Sequence, residues 1–233
     1  HISQNAFDDA NSLYEISVDK ANTTYSASDG VLYSGTTLIH YPQAKAKQTY
    51  SIPTGTKKIA KHAFYGSSAL QEIIVPNTVN TIEDSGIYYA NSVETVRFLG
   101  DVSSIGALNF FSNQHTMRLY GPLGQSNLQQ YADNNYVSYN MYSVTYMQDG
   151  EVLGYASARA GEKLSAIMDA PEGEMTFRGW STNNNRAVTI WDMDNDVMPS
   201  NDLVLYAIWG YDFTVVNVTG GVKLSRYTGN KSK

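Results

Sequence analysis

The chain contains no cysteine, which excludes disulfides, thiolate metal sites and cysteine nucleophiles together. Basic residues are also few, since 16 Lys and Arg stand against 22 Asp and Glu, for a formal net charge of −6. The longest basic cluster is the pair Lys57-Lys58. A phosphate backbone needs concentrated positive charge, so we expect no nucleic-acid partner.

Long apolar runs are missing as well. No segment approaches the ~20 apolar residues that a membrane span requires, so membrane insertion is not expected. The hydrophobic fraction of 42% is nevertheless enough to form hydrophobic cores. Only 16% of the residues are charged and 18 residues are tyrosines, so the polar surface must consist mainly of hydroxyl and amide groups. The chain opens at His1 without an initiator methionine. We interpret it as a fragment of a longer bacterial protein that is secreted and attached to the cell surface.

A repeat of 23 residues runs through the first half of the chain. Each copy has the same order: Ile, a bulky apolar residue, a small residue, Leu or Val, and a short apolar alternation. The matched positions are Ile59, Phe64, Ser67, Leu70, Ile73 and Val75; Ile82, Ile87, Ala90, Val93, Val96 and Phe98; and Ile2, Phe7, Ala10, Leu13, Ile16 and Val18. Such a period predicts a solenoid, in which a unit completes its core only by stacking on its neighbours.

The unit resembles the BspA-type leucine-rich repeat, with the copy Ile59-x-x-x-Ala63-Phe64-x-x-Ser67-x-x-Leu70-x-x-Ile73-x-Val75-Pro76 closest to the family pattern. A copy that begins at Ile105 departs from it, because Asn113 takes the small position and Thr116 the Leu position. We therefore expect the stack to end there.

Two segments interrupt or close the predicted stack. The interval from Ile2 to Ile59 is not a multiple of 23, and residues 31–33 and 38–42 flank a turn and predict an inserted β-hairpin. The stretch Tyr120-Gly121-Pro122, followed by Leu128-x-x-Tyr131-Ala132-x-x-Asn135, resembles the end of the repeat region in that family. A short helix there would cover the open end of the solenoid core.

The 23-residue period is lost from about Tyr142. Residues 143–147 and 203–209 are rich in β-branched and aromatic side chains and predict strands. Residues 142–210 resemble the Listeria–Bacteroides repeat, or internalin-type B repeat, most specifically at Gly179-Trp180 and Leu205-Tyr206-Ala207-x-Trp209. The resemblance implies a small β-grasp-like domain that serves as a spacer or as an accessory binding unit.

The predicted fold is therefore mostly β, a leucine-rich-repeat solenoid with a β-hairpin insertion followed by a small β-grasp-like domain. We expect residues 1–140 to form the solenoid with its C-terminal cap and residues 141–210 to form the small domain. Residues 211–233, which contain Gly220-Gly221-Val222, would begin a further repeat block or a linker.

The repeat strands offer the main candidate binding site. If Ile73 and Val75 point inward, their neighbours point outward onto the concave face, where solenoids usually bind. The outward positions in three successive copies are Glu72, Ile74, Thr95, Arg97, Arg118 and Tyr120, and Glu15 and Ser17 match them in the opening copy. An ordinary solvated surface explains any one of these residues equally well.

An alternative site lies on the tyrosine-rich insertion. Tyr33 and Tyr41, with Tyr25 and Tyr50 nearby, would suit stacking on sugars if they were exposed. The three tryptophans, Trp180, Trp191 and Trp209, are interpreted as core anchors of the small domain rather than as a sugar platform.

No residue pattern predicts catalysis or a resident metal. Asp192, Asp194 and Asp196 alternate as calcium-loop carboxylates can, but Val197 and Leu203 stand where an EF-hand needs Gly and Glu. A solvated acidic turn is the favoured interpretation and a weak calcium site the alternative. His40 and His62 lie near other titratable groups but in no known catalytic motif. We expect no cofactor.

The sequence thus predicts a non-catalytic cell-surface adhesion or protein-interaction module that binds its ligand on the solenoid. The partner would be a host or cell-surface protein or glycan. The alternative function is an accessory carbohydrate-binding region of a larger secreted enzyme.

Overall fold

A computed structural model describes residues 2–3, 5–110, 116–124, 126–164, 176–184 and 190–210, together with the backbone of residues 213–218 and 221–227. Within it the chain forms two compact units, residues 1–140 and 141–233. The first unit contains the strands β1 (Ser26–Ser28), β2 (Val31–Ser34), β3 (Thr37–His40), β4 (Thr49–Ser51), β5 (Lys58–Ile59), β6 (Glu72–Val75), β7 (Thr81–Ile82), β8 (Thr95–Phe98), β9 (Ser104–Ile105), β10 (Arg118–Tyr120) and β11 (Ser138–Tyr139), and the helix α1 (Asn127–Asn134).

Stacked coils build the first unit. Each coil passes from a short strand of one sheet to a longer strand of another, and equivalent strands of successive coils pair in parallel. One sheet has the order β1-β2-β3-β5-β7-β9 and the other the order β11-β10-β8-β6-β4. The solenoid fold predicted from the 23-residue period is confirmed.

Side chains spaced by 23 residues stack between the coils to form one continuous core. Tyr41, Phe64, Ile87 and Phe110 are all fully buried. A second buried row consists of Tyr50, Ile73, Val96 and Leu119, and the pairs Tyr50–Ile73 and Ile73–Val96 are in register in the sheet. Since each side chain lies against its equivalent in the next coil, the repeat period of the sequence is also the packing period of the core.

The first coil of the stack differs from the sequence prediction. Residues 37–52 form a complete coil, with Leu38 paired to Ile59 and Tyr50 to Ile73. The opening copy, by contrast, consists of turns, and its Ile16 N–H donates to the Gly30 carbonyl instead of joining a strand. The prediction that the opening copy contributes a repeat strand is therefore wrong, because the hairpin β1–β2 and strand β3 supply the edge of the stack.

The opposite end of the stack is covered by α1. Ser126 caps the helix by accepting from the Gln129 N–H, and the Asp101 carboxylate accepts from the Asn127 and Leu128 N–H groups. Leu128 and Ala132 are fully buried. The predicted helix is thus present and closes the apolar end of the solenoid. In the last coil Met117 is buried while Thr116 is exposed, and Asn113 lies outside the described residues.

The second unit contains a four-stranded sheet and a separate hairpin. Its strands are β12 (Met141–Gln148), β13 (Glu151–Arg159), β14 (Thr176–Ser181), β15 (Leu203–Gly210), β16 (Phe213–Val218) and β17 (Gly221–Tyr227). The sheet order is β13-β12-β15-β14, and β16 pairs only with β17 in the part of the chain that is described. Tyr146 and Trp180 meet edge to face at 4.7 Å in its core. Trp180 is buried, whereas Trp191 packs partly buried against the core.

Left-handed backbone recurs in the turns of the solenoid, since His62, Ser85 and Leu108 all have φ between 56° and 57° at intervals of 23 residues. Tyr89 has φ of 58°, in the left-handed region, and the equivalent position one coil earlier is Gly66 with φ of 73°. A side chain in this conformation costs roughly 1–2 kcal/mol relative to the ordinary helical region. The turn is therefore suited to glycine, and this coil holds a tyrosine there.

The buried row of bulky side chains predicts a large difference between inward and outward substitutions. Phe64→Ala should lower the free energy of unfolding by about 3–5 kcal/mol, because a cavity opens between neighbouring coils. Arg97→Ala, at an outward position of β8, should lower it by less than about 1 kcal/mol. Urea melts of both variants test this, and equal losses would contradict the assignment of inward and outward faces.

A second prediction concerns acid stability. His40 is almost fully buried and stacks on Phe7 at 4.5 Å. Desolvation lowers the pKa of His40 from 6.5 to about 4, and a hydrogen bond with the His62 backbone and the charge of Asp8 offset this only in part. Between these values the unfolded chain binds more protons than the folded protein. The free energy of unfolding should therefore fall as the pH drops from 6.5 to about 4, with His40 contributing up to about 3 kcal/mol of the loss.

Urea melts above and below this pH window measure the effect. Carboxylates also titrate there, so the matched comparison is His40→Gln, whose acid-induced loss should be clearly smaller than that of the unsubstituted protein. Equal losses in the two proteins would show that His40 is not the group responsible.

Candidate binding surface

The outward residues of three neighbouring strands form one continuous patch, here called the strand strip. Along β6, β8 and β10 the inward residues are buried, and the alternate residues are partly or fully exposed. Strand pairing arranges the strip in two rows, which are Glu72–Thr95–Arg118 and Ile74–Arg97–Tyr120. Neighbouring strands in a sheet lie ~4.8 Å apart, so the six side chains can contact a single ligand surface.

The centre of the strand strip is held by Arg97. Its Nε lies 3.5 Å from the Oε1 of Glu72, and its guanidinium carbon lies 4.9 Å from the centroid of the Tyr120 ring. Both contacts cross from one coil to the next. They fix the direction of a long side chain, which reduces the conformational entropy that binding would otherwise cost. Arg97 and Arg118 both remain exposed.

The strip extends further than the sequence predicted. Thr49 and Ser138 continue the first row on β4 and β11, and Ser51 continues the second row on β4. Sequence analysis missed β4, although Thr49 and Ser51 stand 23 residues before Glu72 and Ile74. In the other direction, Glu15 and Ser17 lie in the opening turns and do not join the sheet.

The alternative site on the insertion is contradicted by the burial of its tyrosines. Tyr33 is 6% exposed and Tyr41 is 0% exposed. The Tyr33 and Tyr50 hydroxyls lie 2.7 Å apart within the core, and burial raises the pKa of Tyr41 to about 12. Tyr33 and Tyr41 therefore stabilise the first coil and cannot present a ring face to a sugar. Tyr25 is partly exposed, and its hydroxyl accepts from the Ile2 N–H.

The three aspartates of the second unit form a self-contained turn. Asp192 Oδ1 accepts from the Asp194 and Asn195 N–H groups, and Asp196 Oδ2 accepts from the Asp192 N–H. These side-chain and backbone hydrogen bonds lower the pKa of Asp192, with the Asn195 side chain the largest cause. The described residues contain no group of three or more His, Asp or Glu arranged to hold a metal ion. Within those residues there is also no helix long and apolar enough to cross a bilayer.

Some solved structures are similar to this chain. The pneumococcal vaccine antigen PcpA is 24% identical, with 46% of this chain and 33% of that chain covered and a TM-score of 0.35. A leucine rich cell surface protein of Faecalibacterium prausnitzii is 21% identical, with coverage of 50% and 38% and a TM-score of 0.39. A leucine-rich repeat protein of Eubacterium ventriosum is 23% identical, with coverage of 48% and 37% and a TM-score of 0.39. The chain spans between 33% and 38% of the length of these structures.

Two family models match the sequence directly. The model of the Listeria-Bacteroides repeat domain matches residues 142–208, which the structure places in the second unit. The BspA type leucine rich repeat region matches residues 40–157 in six copies. The two matches overlap in β12 and β13, beyond the last strand of the stacked coils. Because the repeat model covers half of the chain, including its stacked coils, this protein belongs to the BspA-type leucine-rich-repeat family and carries a Listeria–Bacteroides repeat domain.

Proposed function

We propose that this chain is a non-catalytic interaction module of a secreted or cell-surface protein and that it binds a protein ligand on the strand strip. The observation that carries the proposal is the in-register arrangement of Arg97, Tyr120, Arg118 and Ile74 on one exposed sheet face. Tyr and Arg are the residue types that dominate binding energy in protein interfaces. Membership of the BspA-type leucine-rich-repeat family supports this location for the present chain.

The residues on the strip favour recognition over chemistry. Its one carboxylate, Glu72, is paired with Arg97, and its remaining side chains are an aliphatic, an aromatic, a hydroxyl and a second guanidinium. With Arg97 paired to Glu72, Arg118 leaves the strip with a small net positive charge on a chain whose net charge is −6. Such a charge is complementary to an acidic partner surface and would orient the partner during association.

The proposal assigns a different role to each of the two units. Residues 1–140, the solenoid with its helical cap, would carry the ligand, and residues 141–210 would act as a spacer or accessory unit. The hairpin β16–β17 lies within residues 211–233, which we propose as a linker or as the start of a further repeat block.

Charge reversal on the strip tests the proposed function. The intact chain is first applied to an array of purified host extracellular-matrix proteins and glycans to find a ligand. Arg97→Glu combined with Arg118→Glu should then lower the affinity for that ligand by at least about tenfold, because both substitutions place negative charge against an acidic partner surface.

The matched control carries the same change in net charge elsewhere on the solenoid. Lys20 and Lys57 are exposed and lie outside the strand strip, so Lys20→Glu combined with Lys57→Glu should leave affinity within about threefold. Thermal melts establish that both variants are folded. Equal weakening by the two double variants, or no weakening by the arginine pair, would contradict the strip as the binding surface.

A further inference from the structure

A cluster of aromatic residues, three of them partly buried and one exposed, lies on the turns of the coils, outside the strand strip. The rings of His62 and Tyr65 stack at 5.3 Å, and those of Tyr65 and Tyr89 at 5.4 Å with an interplanar angle of 17°. Tyr88 joins the cluster at 5.5 Å from Tyr89. Tyr89 is the most exposed of the four residues, at 46%. The cluster thus leaves part of one aromatic side chain open to solvent.

Tyr89 takes the place of a glycine in its turn. The equivalent residue of the preceding coil is Gly66, and both residues have positive φ. Positive φ is also found at the fully buried Phe110, so the exposure of Tyr89 and not its backbone distinguishes it. An apolar core position would explain a costly aromatic residue, but Tyr89 lies on the surface.

Polar groups surround the exposed ring. A cleft of about 380 Å³ is lined by Tyr65 and Tyr89 and by the polar residues Asp9, Asn11, Ser68, Asn91 and Ser92. The hydroxyls of Ser68 and Ser92 donate to backbone carbonyls, which leaves their lone pairs as acceptors. Asp9, Asn11 and Asn91 are exposed and provide carboxylate and amide groups. The rim therefore offers both donors and acceptors beside one aromatic platform.

We propose that this cleft binds a neutral sugar residue of a glycan, which stacks on the exposed part of the Tyr89 ring. A pyranose presents C–H groups on one face and hydroxyls around its edge, and the cleft presents a ring face bordered by amide, carboxylate and hydroxyl oxygens. A cationic ligand is the alternative that the experiment below distinguishes, because a cation can also lie over a ring face and the cleft carries the carboxylates of Asp8 and Asp9. Here the rings are stacked on one another, so they form one platform in place of a cage.

The site does not depend on the proposed protein ligand of the strand strip. It also replaces the insertion tyrosines as the place where this chain would contact carbohydrate. Tyr65 and Tyr89 come from successive coils, so the site exists only when the solenoid is folded.

The experiment measures binding of the full chain to maltotriose, cellotriose, mannotriose, chitotriose and lactose by ligand-observed saturation-transfer NMR and calorimetry. Tetramethylammonium chloride serves as the cationic probe. We expect at least one neutral sugar to bind with a Kd of about 1 mM. Tyr89→Gly should lower the affinity for that sugar by at least about tenfold. Because glycine suits the left-handed turn, this variant should melt no lower than the unsubstituted protein, which separates loss of binding from loss of fold.

Tyr136→Ala is the matched control, since Tyr136 is 84% exposed and also has positive φ, but lies after α1. It should leave the sugar affinity unchanged. Asp9→Asn should change that affinity by less than about threefold, because an amide still bonds to hydroxyls. The proposal is overturned if no sugar of the panel binds, if Tyr89→Gly binds as well as the unsubstituted protein, or if tetramethylammonium alone binds and Asp9→Asn abolishes it.

Discussion

The stacking of equivalent side chains between coils is the interaction on which the rest of the solenoid depends. A single coil encloses too few apolar residues to offset the entropy of ordering its backbone, so it is stable only against a neighbour. Tyr41, Phe64, Ile87 and Phe110 show how this works, because each ring or branched side chain is fully buried between coils. The coil at each end of such a stack lacks one neighbour, so another element must cover its apolar side chains. Helix α1 covers one end, and the hairpin with the opening turns lies at the other.

This constraint also explains which residues can vary. Inward positions must remain apolar and of similar size, since they contact both neighbours. Outward positions of the strands and turns contact solvent, so their side chains can be chosen for binding. The strand strip and the Tyr89 cleft both consist of such outward positions. They lie on different parts of the coil, one on the regular strands of the five-stranded sheet and the other on the turns before them.

The sequence predicted those parts of the fold that a fixed period encodes. Ile73 and Val75 alternate as a half-buried strand does, and six matched positions defined the coils. The period could not show pairing, however. The opening copy has all six apolar positions, yet its segment around Ile16 bonds to Gly30 in place of a strand. Strands of only two residues, such as β5, are too short to show any alternation, so the six-stranded sheet was not predicted.

The candidate site was predicted only where the strand alternation continued. Glu72, Arg97 and Tyr120 follow directly from it, whereas Thr49 and Ser51 were missed because Lys47 occupies the Leu position of that coil. The tyrosines of the insertion were placed outside for a different reason. Tyrosine has an apolar ring and a polar hydroxyl. Whether it is buried or exposed can therefore be predicted only when a hydrogen-bond partner for the hydroxyl is known. Tyr33 and Tyr50 supply that partner to each other.

The same ambiguity applies to Tyr89. The preceding coil has Gly66 at this position, but the fully buried Phe110 also has positive φ, so the backbone alone does not settle the role of the residue. Tyr89 accepts a strained backbone and still leaves nearly half of its surface exposed. Burial therefore does not account for this tyrosine, and its ring contacts with Tyr65 and Tyr88 leave nearly half of the residue exposed. The exposed part, in the cleft with Asp9 and Asn91, is the part of the coil whose residue types a ligand would explain.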